Sequence, residues 1–184
     1  DYDLLLREAL ATEELAEVSP AVLTAEQVRG DVPLPEFLTA EPAGRLRIPG
    51  DAVWEAHYRH AYRLGGACEF LREWVGFEVA LRNAVATARA ETLELDPAGY
   101  LLGEDLADED APVQGTVAAW AEAPDPLAAL RVLDEGRWTW VDQRSRYFSF
   151  AIDELAAYAR KLILLTRWHV LSREEAADTA NRGA

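Results

Sequence analysis

Apolar residues recur every three or four positions along most of this chain, which is the spacing of an α-helix with a buried face. The clearest series is Phe70, Trp74, Phe77, Leu81 and Val85, and a second row, Leu71, Val75 and Val79, widens the apolar stripe. We predict a long buried helix here, with Pro97 and Gly99 marking its far end.

A second helix is predicted just before it, over residues 53–64. Gly65 and Gly66 separate the two, because a pair of glycines inside a helix costs about 2 kcal/mol relative to alanine. We therefore expect a break or a kink between the two helices at this point.

The last strong pattern extends over residues 138–170 and predicts a single helix. Its apolar positions are Phe148, Ile152, Leu155, Ala159, Leu162 and Leu165, with Ile163 and Leu164 filling other sides. A helix that is apolar on several sides is expected to be surrounded by protein on more than one face. Ser172 and Glu175 have the spacing of a capping box and predict a separate C-terminal turn.

Two shorter helical patterns lie between these elements, over residues 113–121 and 126–133. Asp125 is a suitable N-cap for the second pattern because a proline follows it in the first turn. Gly136 is expected to end that helix.

The first fifty residues combine a helical pattern with a proline-rich connection. Residues 2–18 place Leu5, Leu6, Ala9 and Leu10 on one side of a predicted helix, which Ser19-Pro20 ends. Thr24 and Gln27 form a capping box, but Gly30 limits that helix to a short one. Four prolines between Gly30 and Gly50 predict a loop with one short turn around Phe37.

No segment shows convincing strand-like alternation, so the predicted fold class is all-α. We expect a multi-helix bundle of long antiparallel helices, with an N-terminal helix and connection over residues 1–50 and a helical bundle domain over residues 51–184. A chain of 184 residues is long enough to bury one core.

The charge of the chain limits its partners. The net charge is −15, and residues 91–135 hold twelve carboxylates against Arg131 alone. Such a chain repels nucleic-acid phosphates and anionic lipid headgroups, so we expect no nucleic-acid partner and no direct membrane insertion. A basic protein partner fits the charge, although the acidic runs are better explained as solvated faces and loops that keep the protein soluble.

Catalytic motifs are missing from the sequence, and we predict that the protein is not an enzyme and holds no cofactor. The chain contains no GxxxxGK[ST], GxGxxG, GxSxG, HExxH or ExxH motif. Its single cysteine, Cys68, cannot form an internal disulfide, which fits a reducing compartment such as the cytoplasm.

One group of residues could bind a metal. His57 and His60, three residues apart, can face the same way on a helix, with Glu55 nearby and Glu69 or Glu73 from the next helix. The alternative is that the histidines lie at the polar edge of an amphipathic helix, and we predict no metal site. The acidic cluster over residues 105–110 does not match a calcium loop, because Pro112 and Gln114 replace an oxygen ligand and the turn glycine.

Polar residues interrupt the long helix at Glu78, Arg82 and Asn83. Glu78 and Arg82 have the favourable i, i+4 order for an ion pair, and we predict that the three residues form a structural polar network.

A mixture of aromatic residues and arginines follows Gly136 and is a candidate partner-binding segment. It includes Trp138, Trp140, Arg144 and Arg146. Aromatic and arginine side chains anchor protein interfaces, but the same residues also build cores, and the sequence leaves both interpretations open.

Two segments carry a family resemblance. FEVALRN at residues 77–83 and LAAYARKLILLTRW at residues 155–168 resemble a bacterial domain family of unknown function that is encoded beside V-type ATPase genes. That family is similar to the C-type component of the V-type ATPase central stalk, called d in eukaryotes, although this chain is too short for the three helical repeats of the C-type proteins.

The resemblance implies a V-type ATPase C-like helical fold and a non-catalytic role in a rotary ATPase. The protein would be a component or assembly factor that links the central shaft to the membrane ring, with central-stalk proteins as partners. It would be cytoplasmic and peripheral to the inner membrane through the ATPase complex. The alternatives are an acidic helical adaptor unrelated to ATPases and a metal-binding helical-bundle enzyme.

Overall fold

Helices form all the regular secondary structure of the described residues. The computed structural model describes residues 23–39, 46–145 and 151–182, with residue 25 and residues 174–182 described by their backbone alone. Its six α-helices are α1 (Ala25–Arg29), α2 (Pro49–Leu64), α3 (Glu69–Thr92), α4 (Gln114–Ala121), α5 (Pro126–Arg144) and α6 (Ile152–Arg182). Short 3₁₀ turns lie at Glu36–Leu38, Gly65–Ala67, Pro97–Gly99 and Glu104–Leu106. The predicted all-α class is confirmed for this part of the chain.

Helix α3 lies at the centre of the bundle because both of its apolar rows are buried, as the sequence predicted. One row packs into a cluster with Trp140 and Val141 of α5 and Ala157 of α6. The other row, Val75 and Val79, packs against Tyr58 of α2 and Leu102 in the loop after α3. The two rows therefore join α3 to elements on opposite sides of the bundle.

Contacts between neighbouring helices define their directions. Helix α2 runs antiparallel to α3, since Asp51 near its start pairs with Arg82 while Gly65 after its end lies against Arg72. Side-chain pairs likewise show that α5 is antiparallel to both α3 and α6. Helices α3 and α6 run parallel, with the Phe70 backbone N–H donating to Asp153 at the start of both helices.

Helix α2 ends at Leu64, and Gly65 after it lets α3 approach closely at this point. A Cβ atom at residue 65 would lie 2.9 Å from the Cβ of Arg72. The break predicted at the glycine pair is confirmed, and the reason is steric as well as conformational.

The caps and turns predicted in the N-terminal part are confirmed where the structure describes them. Thr24 and Gln27 form the reciprocal capping box of α1, and Gly30 ends this helix in the left-handed conformation with φ of 80°. The expected turn around Phe37 is the 3₁₀ turn Glu36–Leu38. The predicted helix over residues 2–18 lies outside the described residues.

The prediction that Gly136 ends a helix is wrong. Asp125 caps α5 as expected, by accepting a hydrogen bond from the Ala128 backbone N–H, but the helix then continues through Gly136 to Arg144. A Cβ atom at residue 136 would lie 2.7 Å from the Cγ2 of Thr116 on α4. The glycine therefore permits α4 to approach α5, and it has no capping role.

The single helix predicted over residues 138–170 is also corrected. Its first part belongs to α5, and α6 begins at Ile152, with residues 146–150 outside the described part of the chain. Ser172 cannot start a separate turn, because α6 passes through it without interruption to Arg182.

The role of Gly136 can be tested by adding one methyl group. We expect Gly136→Ala to lower the free energy of unfolding by about 1–2 kcal/mol, since overpacking outweighs the better helix propensity of alanine. In a Thr116→Ala background the same change should be neutral or stabilising, because the contacting γ atoms are gone. Urea unfolding of the four proteins measures the coupling, and stabilisation by Gly136→Ala in the Thr116 background would contradict this explanation.

Candidate interaction surface

Helix α6 carries its large apolar side chains on the side that faces solvent. We call this surface the outer face; it consists of Ile152, Leu155, Tyr158, Leu162, Ile163, Leu165 and Val170, all of them exposed. Tyr158 exposes 64% of its surface, whereas Leu164, on the opposite side of α6, exposes 2%. The expectation that this helix is surrounded on several faces is therefore wrong for the described part of the structure.

The inner face of α6 is unusual because charged side chains accompany its few buried apolar residues. Asp153 accepts a hydrogen bond from the Phe70 backbone N–H at 3.1 Å. Lys161 donates to Asp142 of α5 at 2.6 Å, and the Arg160 guanidinium lies 4.3 Å from the centre of the Trp74 ring. Polar contacts thus hold this side of α6 against α3 and α5.

A buried network centred on Asp134 joins the same three helices. Arg167 of α6 donates to both carboxylate oxygens of Asp134 at 2.9 Å, and the Trp168 indole N–H donates to Oδ2 at 3.1 Å. Arg137 donates from Nη1 to Asp134 at 2.9 Å. The same Arg137 donates to the Glu78 carboxylate of α3 from Nη2 at 2.6 Å and from Nε at 2.9 Å. We call these five residues the Asp134 network.

The electrostatics of the Asp134 network favour the charged forms of Glu78 and Arg137. Burial alone would raise the pKa of Glu78, but the charge and hydrogen bonds of Arg137 lower it overall. The pKa of Arg137 is raised, because Glu78 and Asp134 together outweigh the desolvation of its guanidinium. Two carboxylates therefore face two arginines in a site that is almost closed to water.

The predicted polar residues of α3 are placed differently from the expected ion pair. Glu78 pairs with Arg137, while Arg82 pairs with Asp51 of α2. These partners lie on two other helices, Arg137 on α5 and Asp51 on α2, so each charge of α3 is paired across a helix–helix contact. Asn83 donates to the Leu102 carbonyl at 2.8 Å and accepts from the Leu102 N–H at 3.1 Å, which fixes the loop after α3.

The aromatic and arginine residues proposed to bind a partner belong in part to the core. Trp140 exposes only 2% of its surface and stacks on Phe77 with ring centroids 4.9 Å apart. Arg144 lies 3.9 Å from the Trp140 ring centroid. Trp140 cannot contact a partner while it is buried in this way, so its proposed role is corrected to packing. Trp138 is half-buried near Lys161, and Arg146 lies outside the described residues.

The candidate metal ligands have other partners. Glu55 accepts hydrogen bonds from Arg59, and Glu73 accepts one from Arg144. His57 and His60 both contact the Phe37 ring, with centroids 5.8 and 5.1 Å away. Among the residues that the structure describes, no three His, Cys, Asp or Glu side chains are grouped so that they could hold a metal ion.

Burial changes the acid–base behaviour of His57. The pKa of its imidazole is lowered to about 4, mainly because burial disfavours the charged form, with further contributions from the charges of His60 and Arg160. His57 is therefore neutral at pH 7 and packs as an aromatic residue beside Phe37, Trp54 and Tyr58.

Comparison of the chain with protein-family models, curated proteins and solved structures finds no match in any of the three. The functional interpretation therefore depends on the residues themselves. Within the described part of the chain, no helix is both long enough and apolar enough to cross a membrane.

Sequence reasoning missed the two features that define this surface. Nothing in the periodicity identified Asp134 as a network centre, although Asp134 and Arg137 have helical i, i+3 spacing. The orientation of α6 was missed because its pattern is apolar over a wide arc, so the pattern could not show which side faces the core.

The Glu78–Arg137 pair gives a first prediction for this region. Glu78→Gln should lower the free energy of unfolding by roughly 3 kcal/mol, since it leaves a buried guanidinium without one of its carboxylates. Glu73→Gln is the matched control on the same helix, and it should change stability by less than about 1 kcal/mol because its ion pair with Arg144 is exposed. Equal effects in chemical denaturation would show that burial of Glu78 has no energetic consequence.

His57 gives a second prediction, for the dependence of stability on pH. Between pH 6.5 and about 4 the unfolded chain binds a proton at this residue and the folded chain does not, so its contribution to stability is present above pH 6.5 and is lost as the pH falls. We expect this contribution to be on the order of 2 kcal/mol. His57→Gln should flatten the stability curve over that range, and parallel curves for the two proteins would refute the assignment.

Proposed function

We propose that this protein is a non-catalytic assembly component, which binds other proteins through the outer face of α6. The observation that supports the proposal is the exposure of seven large apolar side chains on one side of one helix. At roughly 100 Å² each, they form a patch of about 700 Å², larger than the largest apolar patch of a typical monomer. Patches of this kind mark interaction sites on soluble proteins.

The inner face of α6 supports the proposal as well. Contacts from Asp153, Lys161 and Arg167 fix the helix to α3 and α5, so the outer face is held in place before any partner arrives. A rigid surface loses less conformational entropy on binding than a flexible one. A helical segment of the partner, with an apolar stripe of its own, fits such a straight surface.

A narrower proposal concerns the assembly in which the protein acts. The resemblance of residues 77–83 and 155–168 to the family encoded beside V-type ATPase genes favours a rotary ATPase, where the protein would contact central-stalk proteins. Residues 155–168 include most of the outer face and also Arg167 and Trp168 of the Asp134 network. This narrower proposal is supported by the sequence resemblance alone.

An affinity pull-down from the native host tests both levels of the proposal. We expect the tagged protein to retain partner proteins, and we expect the variant Leu162→Gln/Leu165→Gln to lose at least nine-tenths of them. Leu93→Gln is the matched control, because Leu93 is also exposed but lies at the end of α3. Mass spectrometry identifies the retained proteins.

The outcomes separate the two levels. ATPase stalk proteins that are lost only with the α6 variant would support the full proposal. If other proteins were lost in the same way, the outer face would be supported as a binding surface and the role in a rotary ATPase would be rejected. If the α6 variant retained the same proteins as the wild type, the proposal that the outer face binds partners would be rejected.

A further inference from the structure

We infer that the partner of the outer face is a second copy of this chain, so that two α6 helices pack against each other in antiparallel orientation about a twofold axis. This inference rests on the proposed function, because it assigns an occupant to the same surface, and a central-stalk protein held through that surface would overturn it. Four properties support it: the area of the outer face, its symmetry, the positions of its polar groups and the charge of the described part of α6.

The area of the outer face suits a dimer. The patch of about 700 Å² is close to the ~800 Å² that each partner buries in a standard protein interface. It extends from Ile152 to Val170, a length of about 27 Å at 1.5 Å per residue. A second helix of the same length matches the length of this stripe, and α6 of another copy provides one.

Apolar side chains occupy both halves of the outer face, which makes it self-complementary. Leu155, Tyr158, Leu162 and Leu165 alternate three and four residues apart, the spacing that lets two helices interlock their side chains. A twofold axis that passes the outer face halfway between residues 162 and 165 sets Leu162 against Leu165 of the second copy. The contact between Leu162 and Leu165 then occurs twice, once on each side of the axis, as an isologous interface requires.

The same arrangement pairs the polar side chains along the outer face with each other. With the axis in that place, Tyr158 lies opposite His169 of the second copy. A tyrosine hydroxyl and an imidazole ring can form a hydrogen bond with each other, so the polar ends of both side chains stay satisfied at the edge of an apolar contact. Both residues are exposed in the single chain.

The distribution of charge limits the electrostatic repulsion between two copies of this acidic chain at the outer face. The chain has a net charge of −15, to which the described side chains of α6 contribute no net negative charge. Described side chains along α6 include four basic and two acidic residues, so two copies meet here without the acidic excess of the rest of the chain. The remaining repulsion acts between distant groups and weakens as salt is added.

Sedimentation velocity of the purified full chain tests the inference. At concentrations of about 1 to 100 µM we expect a species of twice the 20.4 kDa chain mass, with a dissociation constant that decreases as salt rises from about 50 to 500 mM. Leu162→Gln/Leu165→Gln should raise the dissociation constant at least 100-fold while the circular dichroism spectrum stays the same. Leu93→Gln should leave it unchanged.

A disulfide experiment tests the antiparallel arrangement independently of those variants. In a Cys68→Ala background, an equimolar mixture of the Leu162→Cys and Leu165→Cys proteins should form disulfide-linked dimers on mild oxidation, because residue 162 of one copy lies opposite residue 165 of the other. Leu155→Cys should stay unlinked, because its two copies lie at opposite ends of the interface. Linkage at residue 155 without linkage between residues 162 and 165 would overturn the antiparallel arrangement.

A monomeric wild-type chain at about 100 µM would overturn the inference. The proposed function would still stand if the pull-down kept its dependence on Leu162 and Leu165, because another protein would then occupy the outer face. If removal of residues 1–22 converted such a monomer into a dimer, the occupant in the full chain would be its own N-terminal segment. A dimer that survived the α6 variant would also overturn the inference, by placing the contact elsewhere.

Discussion

The bidentate contact between Arg137 and Glu78 holds the central helices of this protein in register. Glu78 is on α3, Arg137 is on α5, and the same guanidinium also reaches Asp134, which binds Arg167 and Trp168 of α6. Hydrogen bonds between charged groups are directional, so each helix has little freedom to rotate or slide. An apolar core of the same size would tolerate such shifts more easily.

The Asp134 network also explains why α6 has its apolar side outward. Arg167 and Trp168 reach Asp134 only when the charged side of α6 faces α5, and Lys161 and Asp153 make contacts in the same direction. A helix with one side committed to polar contacts must present its other side to solvent or to another protein. The large apolar side chains of α6 are on that other side, and this is the physical basis for the proposed binding surface.

Several parts of the fold follow from short stretches of sequence. The capping box at Thr24, the cap at Asp125 and the break at Gly65 are local, because each depends on residues within a few positions of it. The buried rows of α3 were also predicted, since a wide apolar stripe in a long helix requires neighbours on two sides. The role of Gly136 was not predictable in this way, because its reason is a contact with Thr116 on another helix.

The sequence by itself thus determined the helical class, the main helix α3 and the positions of several helix ends. Only the tertiary structure decided the partners of Glu78 and Arg82, the burial of Trp140 and the outward orientation of α6. The physical reason is the range of the interactions. Helical periodicity and capping act over three or four residues, whereas Glu78 and Arg137 are separated by 59 positions in the chain. The charges that orient α6 become neighbours only when the helices are packed.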